Sequence, residues 1–437
     1  MGVTIIQKSN LSRVKRSPKL ALVLAGGAIS GGAFKMGGLL ALNKYMENRS
    51  VTEFDMYVGM SAGSLLTAFL AGGIGPQEML LALDGKSDKI TPIKPWDFYW
   101  PAYKEFWRRI ARLGKDVVYV WPSIAKAALQ FLPMHENEIG HNLRKFIDKP
   151  SYHGFEQILM PLVREIVDAT PIPHPGRYIP SGIFDNARLE KYVRKNLRKN
   201  NIPNNFKQLK RQHNVDLYIS STNLNTAEMA IFGHDFDSTL SISEAVQAST
   251  AMPGFYIPAR LSGEEFVDGG LIKTANTSLA MLKGADLIIV YNPFRPFMNR
   301  SRYQLDPSEP NISDWGMGMV INQSFRTVFQ SRLYQGLERL RLDPHFKGDL
   351  ILIEPMETDV QFFNMNPLAF WTRYDAGRRG FVTVKRSLSQ NNHDIQEILG
   401  AYGIRCNMGN LILDDIPELE NIDSKETSKR PMLRVVK

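Results

Sequence analysis

Ser61 is the candidate nucleophile of this sequence and lies at the centre of the segment Gly59–Gly63, which reads GMSAG. A short apolar strand is predicted over 55–60 and a helix over 62–70. Gly59 and Gly63 leave room for the sharp strand-to-helix turn that exposes a nucleophilic serine. The helix also points free N–H groups and its positive end towards the group that Ser61 attacks. The alternative interpretation is a helix start whose serine only caps a backbone N–H.

A serine nucleophile also needs hydrogen-bond donors that stabilise the oxyanion. The segment Gly26–Gly32 follows the first predicted strand and opens a helix, so its backbone N–H groups can converge on an anionic oxygen. A nucleotide-phosphate loop is the alternative interpretation of these glycines. The spacing Gly26-x-Ala28-x-x-Gly31 is a poor match to a dinucleotide fingerprint, and no Gly-Lys-Ser/Thr ending makes it a P-loop.

Asp268 is the candidate general base, since it ends an apolar strand in the segment Phe266–Gly270. A partly desolvated carboxylate beside a serine has a raised pKa and can accept its proton without an intervening imidazole. An ordinary Asp-Gly turn is the simpler interpretation. In a Ser–Asp–His enzyme with the chain order of α/β-hydrolases, the histidine follows the acid, which leaves His345 or His393.

Four segments in a fixed order resemble the patatin-like phospholipases. They are the glycine-rich segment after the first strand, Gly59–Gly63, Ala248–Pro258 and Asp268–Gly270. The resemblance covers roughly residues 19–293 and is interrupted over 75–210. It implies a three-layer α/β/α fold, hydrolysis of fatty-acyl esters in lipids, and a Ser–Asp dyad that uses neither a catalytic histidine nor a metal or other cofactor.

The resemblance also assigns roles to residues. It implies that Ser61 is the nucleophile and Asp268 the general base, and that the oxyanion hole is formed by the backbone N–H groups of Gly26, Gly27, Ala28 and Ile29. Gly59, Gly63, Gly269 and Gly270 are its structural motif residues. The sequence departs from the family pattern at two positions, where Ala28 replaces a glycine and Ser30 replaces an Arg or Lys. We expect Ala28 to donate its N–H if its φ is negative.

Predicted strands and helices alternate along the chain and position these residues. The alternation predicts the α/β fold class, with a mostly parallel central sheet. Predicted strands lie at 20–25, 55–60, 216–222, 228–233, 265–267, 286–291 and 349–353, and predicted helices at 33–46, 62–70, 241–251, 275–283, 313–342 and 371–388. The expected domain organisation is a basic, poorly ordered leader (1–18), a catalytic domain (19–293) with an insertion at about 75–210 that acts as a cap or lid, helices and a strand that complete it (294–420), and a flexible tail (421–437).

The composition limits the class of protein and its cellular compartment but does not specify the function. The chain has 437 residues, of which 43% are hydrophobic, so it can bury a large core. One cysteine excludes an internal disulfide and fits a reducing compartment. We therefore expect a cytoplasmic protein, in which the apolar run that begins at Leu20 is a buried strand and not a cleaved signal. No run of 18 apolar residues predicts a transmembrane helix.

A segment rich in aromatic and basic residues, 96–115, suits the headgroup level of a bilayer. The alternative is a helical cap whose aromatic side chains pack on the main core. The net charge of +9 favours an anionic partner, which the motifs indicate is a lipid surface and not a nucleic acid. We therefore expect a phospholipid or other acyl-lipid substrate and peripheral membrane contact.

The sequence as a whole predicts a lipid acyl hydrolase that forms an acyl-enzyme. The alternatives are a Ser–Asp–His esterase or thioesterase, and a catalytically inactive membrane-binding protein that retains the fold. A nucleotide-binding protein is the third alternative.

Overall fold

The computed structural model describes residues 2–11, 15, 17–119, 122, 125–126, 129, 136–151, 153–158, 160, 175–299, 310–357 and 359–412. The chain forms two compact units, of which one is Met1–Trp100 with Asp185–Lys437 and the other is Pro101–Phe184. The predicted tail at 421–437 lies outside the described residues.

The strands are β1 (Val3–Gln7), β2 (Leu20–Leu24), β3 (Met56–Met60), β4 (Gly182–Phe184), β5 (Asp216–Asn223), β6 (Met229–Phe232), β7 (Gly254–Tyr256), β8 (Ala259–Leu261), β9 (Glu264–Asp268), β10 (Leu287–Tyr291) and β11 (Asp349–Ile353). Nine of these described strands form the main sheet, in the order β1-β11-β10-β2-β3-β5-β9-β8 with β6 paired to β5. The five strands from β11 to β5 are parallel, and β1, β6, β8 and β9 are antiparallel to their neighbours.

The helices are α1 (Ala28–Tyr45), α2 (Ala62–Ala71), α3 (Pro76–Leu83), α4 (Pro95–Phe98), α5 (Tyr103–Tyr119), α6 (Glu136–Asp148), α7 (Ala187–Lys199), α8 (Phe206–His213), α9 (Ile242–Thr250), α10 (Thr277–Leu282), α11 (Met317–Leu342), α12 (Val360–Asn364), α13 (Arg373–Gln390) and α14 (Asn392–Ala401).

The side chains of β2 show the three-layer α/β/α architecture, because they alternate between two hydrophobic clusters on opposite faces of the sheet. Leu20, Leu22 and Leu24 enter one hydrophobic cluster together with residues of α1, α2 and α13. Ala21 and Val23 enter a second cluster with residues of α10 and α11. Because successive side chains of a strand point to opposite faces, the sheet is covered by helices on both faces. The predicted α/β fold with a mostly parallel sheet is confirmed.

Two predictions about the first 46 residues are wrong. The leader is not disordered throughout, because the β-branched run Val3–Gln7 forms an edge strand antiparallel to β11 and buries Val3. Helix α1 begins at Ala28 and not at Ala33. The second half of the glycine-rich segment is therefore helical, although glycine has a low helix propensity.

The second unit, Pro101–Phe184, contains α5, α6 and β4. Glu105 forms ion pairs with Arg108 and Arg109 one turn further along α5. Tyr178 donates a hydrogen bond to Asp116 of α5 with a length of 2.8 Å. Phe106, Trp107 and Ile110 of α5 are exposed. This unit falls inside the predicted insertion at 75–210 but is shorter at both ends.

Candidate active site

Ser61 occupies the turn between β3 and α2. Its backbone angles are φ 51° and ψ −131°, a conformation that a residue with a side chain rarely adopts. A Cβ at Gly59 would lie 2.6 Å from the Cα of Ser64, and one at Gly63 would overlap the carbonyl of Leu24. The close approach of the backbone at these two positions leaves no room for a side chain.

Ser249, near the end of α9, holds the strained turn in place. Its hydroxyl accepts a hydrogen bond from the Ser61 N–H over 2.8 Å and donates one to the Ser220 carbonyl over 2.7 Å. The carbonyl of Ser61 accepts from both the N–H and the hydroxyl of Ser64. Ser249 lies within the Ala248–Pro258 segment of the sequence resemblance, but the sequence gave it no role of its own.

The sheet register brings Asp268 close to Ser61. Met60, the last residue of β3, pairs with Ser220 of β5, and Asp268, the last residue of β9, pairs with the next residue, Ser221. The two candidate residues therefore emerge on either side of β5. Thr222 donates its hydroxyl to the Asp268 carbonyl and fixes the end of β9.

The Asp268 side chain lies close enough to the Ser61 side chain for the hydroxyl to lower the pKa of the carboxyl. Asp268 is 8% exposed. Burial raises the pKa of its carboxyl to about 6, and the hydrogen bonds from Ser61 and from the Gly270 N–H, together with the charge of Lys35, offset part of that rise. The Gly270 N–H donates to Asp268 Oδ1 over 2.8 Å. A carboxylate with such a pKa is a competent proton acceptor at neutral pH.

Lys35 of α1 is a charged group that the sequence did not identify as part of the site. Its side chain is fully buried, and Nζ donates hydrogen bonds to the carbonyls of Ala25 and of Gly26, the latter over 2.6 Å. Burial lowers the pKa of this lysine to about 7, and the negative charge of Asp268 partly opposes that change. The available signal was a lysine near the start of the apolar helix 33–46, far from its polar end at Lys44, because buried lysines require polar partners.

Because the peptide bond is planar and trans, the direction of a carbonyl fixes the direction of the next residue's N–H. Lys35 holds the Ala25 and Gly26 carbonyls, so the N–H groups of Gly26 and Gly27 point away from Lys35. Gly26 lies beside the nucleophile, since a Cβ there would be 3.1 Å from the Ser61 Cβ. Lys35 thereby orients two of the four N–H groups of the predicted oxyanion hole.

The four predicted oxyanion-hole residues differ in whether their backbone N–H groups are free to donate to an oxyanion. The N–H groups of Ile29 and Ser30 both donate to the carbonyl of Pro367, over 3.0 and 3.1 Å. Those of Gly26, Gly27 and Ala28 have no hydrogen-bond partner within the described part of the chain. Ala28 has a φ of 51°, so the negative φ on which its role as a donor depended is not present. The helix starts there in the left-handed region that glycine tolerates best, which explains why the family pattern has glycine at this position.

A narrow apolar cavity of about 80 Å³ opens at Ser61. Its lining includes Leu65, Phe98, Met252, Phe255 and Phe370. No histidine belongs to its lining among the described residues, and His345 and His393 are both exposed. His135 and His174 lie outside the described residues. The site thus combines a hydroxyl, a buried carboxylate, unpartnered backbone N–H groups and an apolar wall.

A profile of the patatin-like phospholipase domain matches residues 22–281, which is more than half of the chain. The chain belongs to the patatin-like phospholipase family. The resemblance predicted from the motifs is confirmed. Membership in this family supports lipid acyl hydrolysis as the class of reaction, with a lipid as substrate.

Several solved structures are similar to this patatin-like phospholipase at low identity. VipD from Legionella pneumophila is 18% identical, with 89% of this chain and 70% of VipD covered and a TM-score of 0.38. A structure of ExoU with SpcU from Pseudomonas aeruginosa is 16% identical, with 77% and 54% covered and a TM-score of 0.27. Human GIVD cytosolic phospholipase A2 is 10% identical, with 90% and 60% covered and a TM-score of 0.33. This chain thus spans little more than half of the matched ExoU structure and of the human enzyme.

None of the helices described here combines the length and the apolar character that crossing a bilayer requires. The described histidine, cysteine, aspartate and glutamate residues include no group of three or more that could hold a metal ion.

Proposed function

We propose that this patatin-like phospholipase hydrolyses fatty-acyl esters of phospholipids through a Ser61–Asp268 dyad. The observation that carries the proposal is that the sheet register brings the buried Asp268 carboxylate close to the Ser61 side chain, which influences its pKa. It is supported by the strained turn at Ser61 and by the apolar cavity in front of it. Family membership supports the lipid substrate.

The reaction begins when Asp268 accepts the Ser61 proton and Oγ bonds to the ester carbonyl carbon. The N–H groups of Gly26 and Gly27 donate to the oxyanion of the tetrahedral intermediate. Asp268 then returns the proton to the departing alcohol, and the acyl group remains on Ser61. In the second half, Asp268 takes a proton from water, whose oxygen bonds to the acyl carbon. The bond between that carbon and Ser61 Oγ then breaks, Asp268 returns the proton to Oγ, and the fatty acid leaves.

Substrate entry requires the site to open. The cavity of about 80 Å³ is well below the roughly 300–1,000 Å³ of small-molecule sites. Leu368 and Phe370 form part of its wall, and the Pro367 carbonyl holds the start of α1. We infer that the acyl chain displaces the segment 366–370. The Ile29 N–H, which now donates to Pro367, then becomes available to the oxyanion.

Chemical labelling tests the proposed nucleophile. We expect a fluorophosphonate probe to modify one serine, and mass spectrometry to locate it in the peptide that contains Ser61, while phosphatidylcholine vesicles release free fatty acid. Pre-treatment with the probe should abolish that release. Fatty-acid release that persists after complete labelling, or modification of a serine elsewhere, would contradict the proposal.

We propose further that α5 contributes to docking on the lipid surface. Phe106, Trp107 and Ile110 are 58%, 68% and 45% exposed, at the spacing of one helix face. Lys104 is exposed and Arg112 is partly exposed on the same helix. Trp100 also belongs to the aromatic segment 96–115. The guanidinium carbon of Arg188 lies 3.2 Å from the centroid of the Trp100 ring. Aromatic side chains beside basic ones suit the interface of an anionic bilayer.

Replacing Phe106 and Trp107 together with Ala is expected to weaken binding to anionic phospholipid vesicles by about tenfold or more, because two large apolar side chains no longer enter the interface. Vesicle sedimentation measures the binding. The control variant, Leu282→Ala with Ile412→Ala, removes two other exposed apolar side chains. Native-like binding by the Phe106/Trp107 variant, or an equal loss in the control, would count against α5 as the docking helix.

A further inference from the structure

A second cavity, of about 390 Å³, lies in the α/β unit between α10, α11 and the segment 272–275 that follows the Asp268 turn. We call it the α10–α11 cavity. It is larger than the cavity at Ser61, and its volume falls in the range of small-molecule sites. The proposed hydrolysis does not use it.

The charged groups that line the α10–α11 cavity are mostly basic. Lys273, Arg332 and Arg339 contribute three cations, and Asp343 contributes one carboxylate. The Thr277 hydroxyl adds a neutral donor. This lining has a formal surplus of two positive charges, so the cavity favours an anion.

Lys273 is partly desolvated without a carboxylate partner. Its Nζ donates to Ser278 Oγ over 2.6 Å and to Asn276 Oδ1 over 3.2 Å. Burial lowers the pKa of this lysine. Among the described residues, no Asp or Glu forms an ion pair with it. An anion in the cavity would supply the missing countercharge.

Arg332 and Arg339, seven residues apart on α11, extend the same basic wall. Arg332 donates to the carbonyls of Gly270 and Leu271, and its Nε is buried with no hydrogen-bond partner in the described part of the chain. Arg339 forms no ion pair within the described residues, whereas its neighbour Arg341 pairs with Glu338 over 2.7 Å. Guanidinium groups bind phosphate oxygens well because their donors match the oxyanion geometry.

We propose that the α10–α11 cavity binds a phosphomonoester, whose charge is countered by Lys273, Arg332 and Arg339. The Thr277 hydroxyl is a further donor for a phosphate oxygen. The phosphomonoester is carried either by a soluble molecule or by a lipid headgroup. The inference goes beyond the proposed hydrolysis and does not depend on it, because binding is measured directly.

The site also adjoins the candidate base. Arg332 donates to the Gly270 carbonyl over 2.9 Å, and the Gly270 N–H donates to Asp268. A bound phosphate that restrains the Arg332 guanidinium would therefore also restrain the turn that follows Asp268. Arg332 is unsuitable as the first test variant, since its replacement would disturb this turn as well as the cavity.

The test uses the full chain and calorimetric titration with glycerol 3-phosphate at constant ionic strength, with glycerol as the uncharged reference. We expect Arg339→Ala to weaken binding by about tenfold or more, as loss of a charge-assisted hydrogen bond does. Lys273→Met should act in the same direction. Arg341→Ala is the matched control, because it removes the same charge from the same helix outside the cavity. Circular dichroism checks that each variant is folded.

A parallel arm uses phosphatidylcholine vesicles with and without dialkyl phosphatidic acid, which contains no acyl ester to hydrolyse. Arg339-dependent binding of glycerol 3-phosphate alone identifies a soluble phosphomonoester, and Arg339-dependent binding of the vesicles alone identifies a lipid headgroup. Both results support the site. Absence of binding in both arms, or equal losses in the Arg339 and Arg341 variants, overturns it.

Discussion

Ser61→Ala is expected to reduce fatty-acid release from phospholipid vesicles to the uncatalysed background, since removal of a serine nucleophile typically costs several orders of magnitude in kcat. The variant retains the Cβ and the backbone hydrogen bond to Ser249, so the turn should persist. Initial rates of fatty-acid release, together with thermal unfolding, measure the two effects separately. Residual activity above about 1% of the native rate would exclude Ser61 as the sole nucleophile.

Asp268→Asn belongs to the same prediction, because it removes the proton acceptor while preserving the shape of the side chain. Loss of a general base costs roughly 10²–10⁴-fold in kcat. The double variant with Ser61→Ala should be no less active than Ser61→Ala alone, since the two groups act as a unit. His345→Ala and His393→Ala serve as controls, because both histidines are exposed and lie outside the cavity lining.

The native enzyme should lose activity as the pH falls through about 6, the pKa to which burial raises Asp268. Below that value the carboxyl is protonated and cannot accept the serine proton. Above it the carboxylate is ionised and the rate should reach a plateau. A kcat profile whose acid limb lies near pH 4, the ordinary range of an exposed carboxyl, would contradict the assignment of Asp268 as the base.

Lys35→Met is expected to lower kcat by roughly 10²–10³-fold with a much smaller change in KM. The reason is that the carbonyls of Ala25 and Gly26 lose their common donor, so the N–H groups of Gly26 and Gly27 lose their fixed orientation towards the oxyanion. Loss of oriented donors acts on the transition state more than on the bound substrate. Steady-state kinetics on a soluble short-chain ester separate the two constants.

The pH profile distinguishes this positioning role from a merely structural one. The charge of Lys35 lowers the pKa of Asp268, so removing it should move the acid limb of the kcat profile to higher pH. Lys44→Met is the matched control: it removes a lysine from the same helix that donates to the Ile412 carbonyl. If Lys35→Met lowers stability and leaves both the acid limb and the kcat of the folded fraction unchanged, Lys35 has no positioning role.

The amino-acid sequence predicted the parts of the site that depend on local backbone chemistry. Gly59 and Gly63 identify the turn at Ser61, because no other residue fits where the backbone approaches Ser64 and Leu24 so closely. The continuous apolar run at Leu20–Leu24 predicted a strand buried on both faces, and the structure has it at the centre of the sheet. Such signals can be detected in sequence because they arise within a few residues.

Edge elements and helix starts were less predictable. Val3–Gln7 lies in a basic leader and becomes a strand only because β11 offers an unpaired edge. The start of α1 at Ala28 depends on the Pro367 carbonyl, which accepts the N–H groups of Ile29 and Ser30. Partners more than 300 residues away in the chain decide both features, and local propensity contains no information about them.

The sequence by itself determined the fold class, the family and the candidate nucleophile and base. Only the tertiary structure decided which groups surround them: the contact of Asp268 with Ser61 across β5, the buried Lys35 beneath Gly26, and the Pro367 carbonyl at the helix start. The physical reason is that hydrogen-bond partners and desolvation are set by packing between distant segments. Those two quantities shift the pKa values and orient the donors on which the proposed chemistry depends.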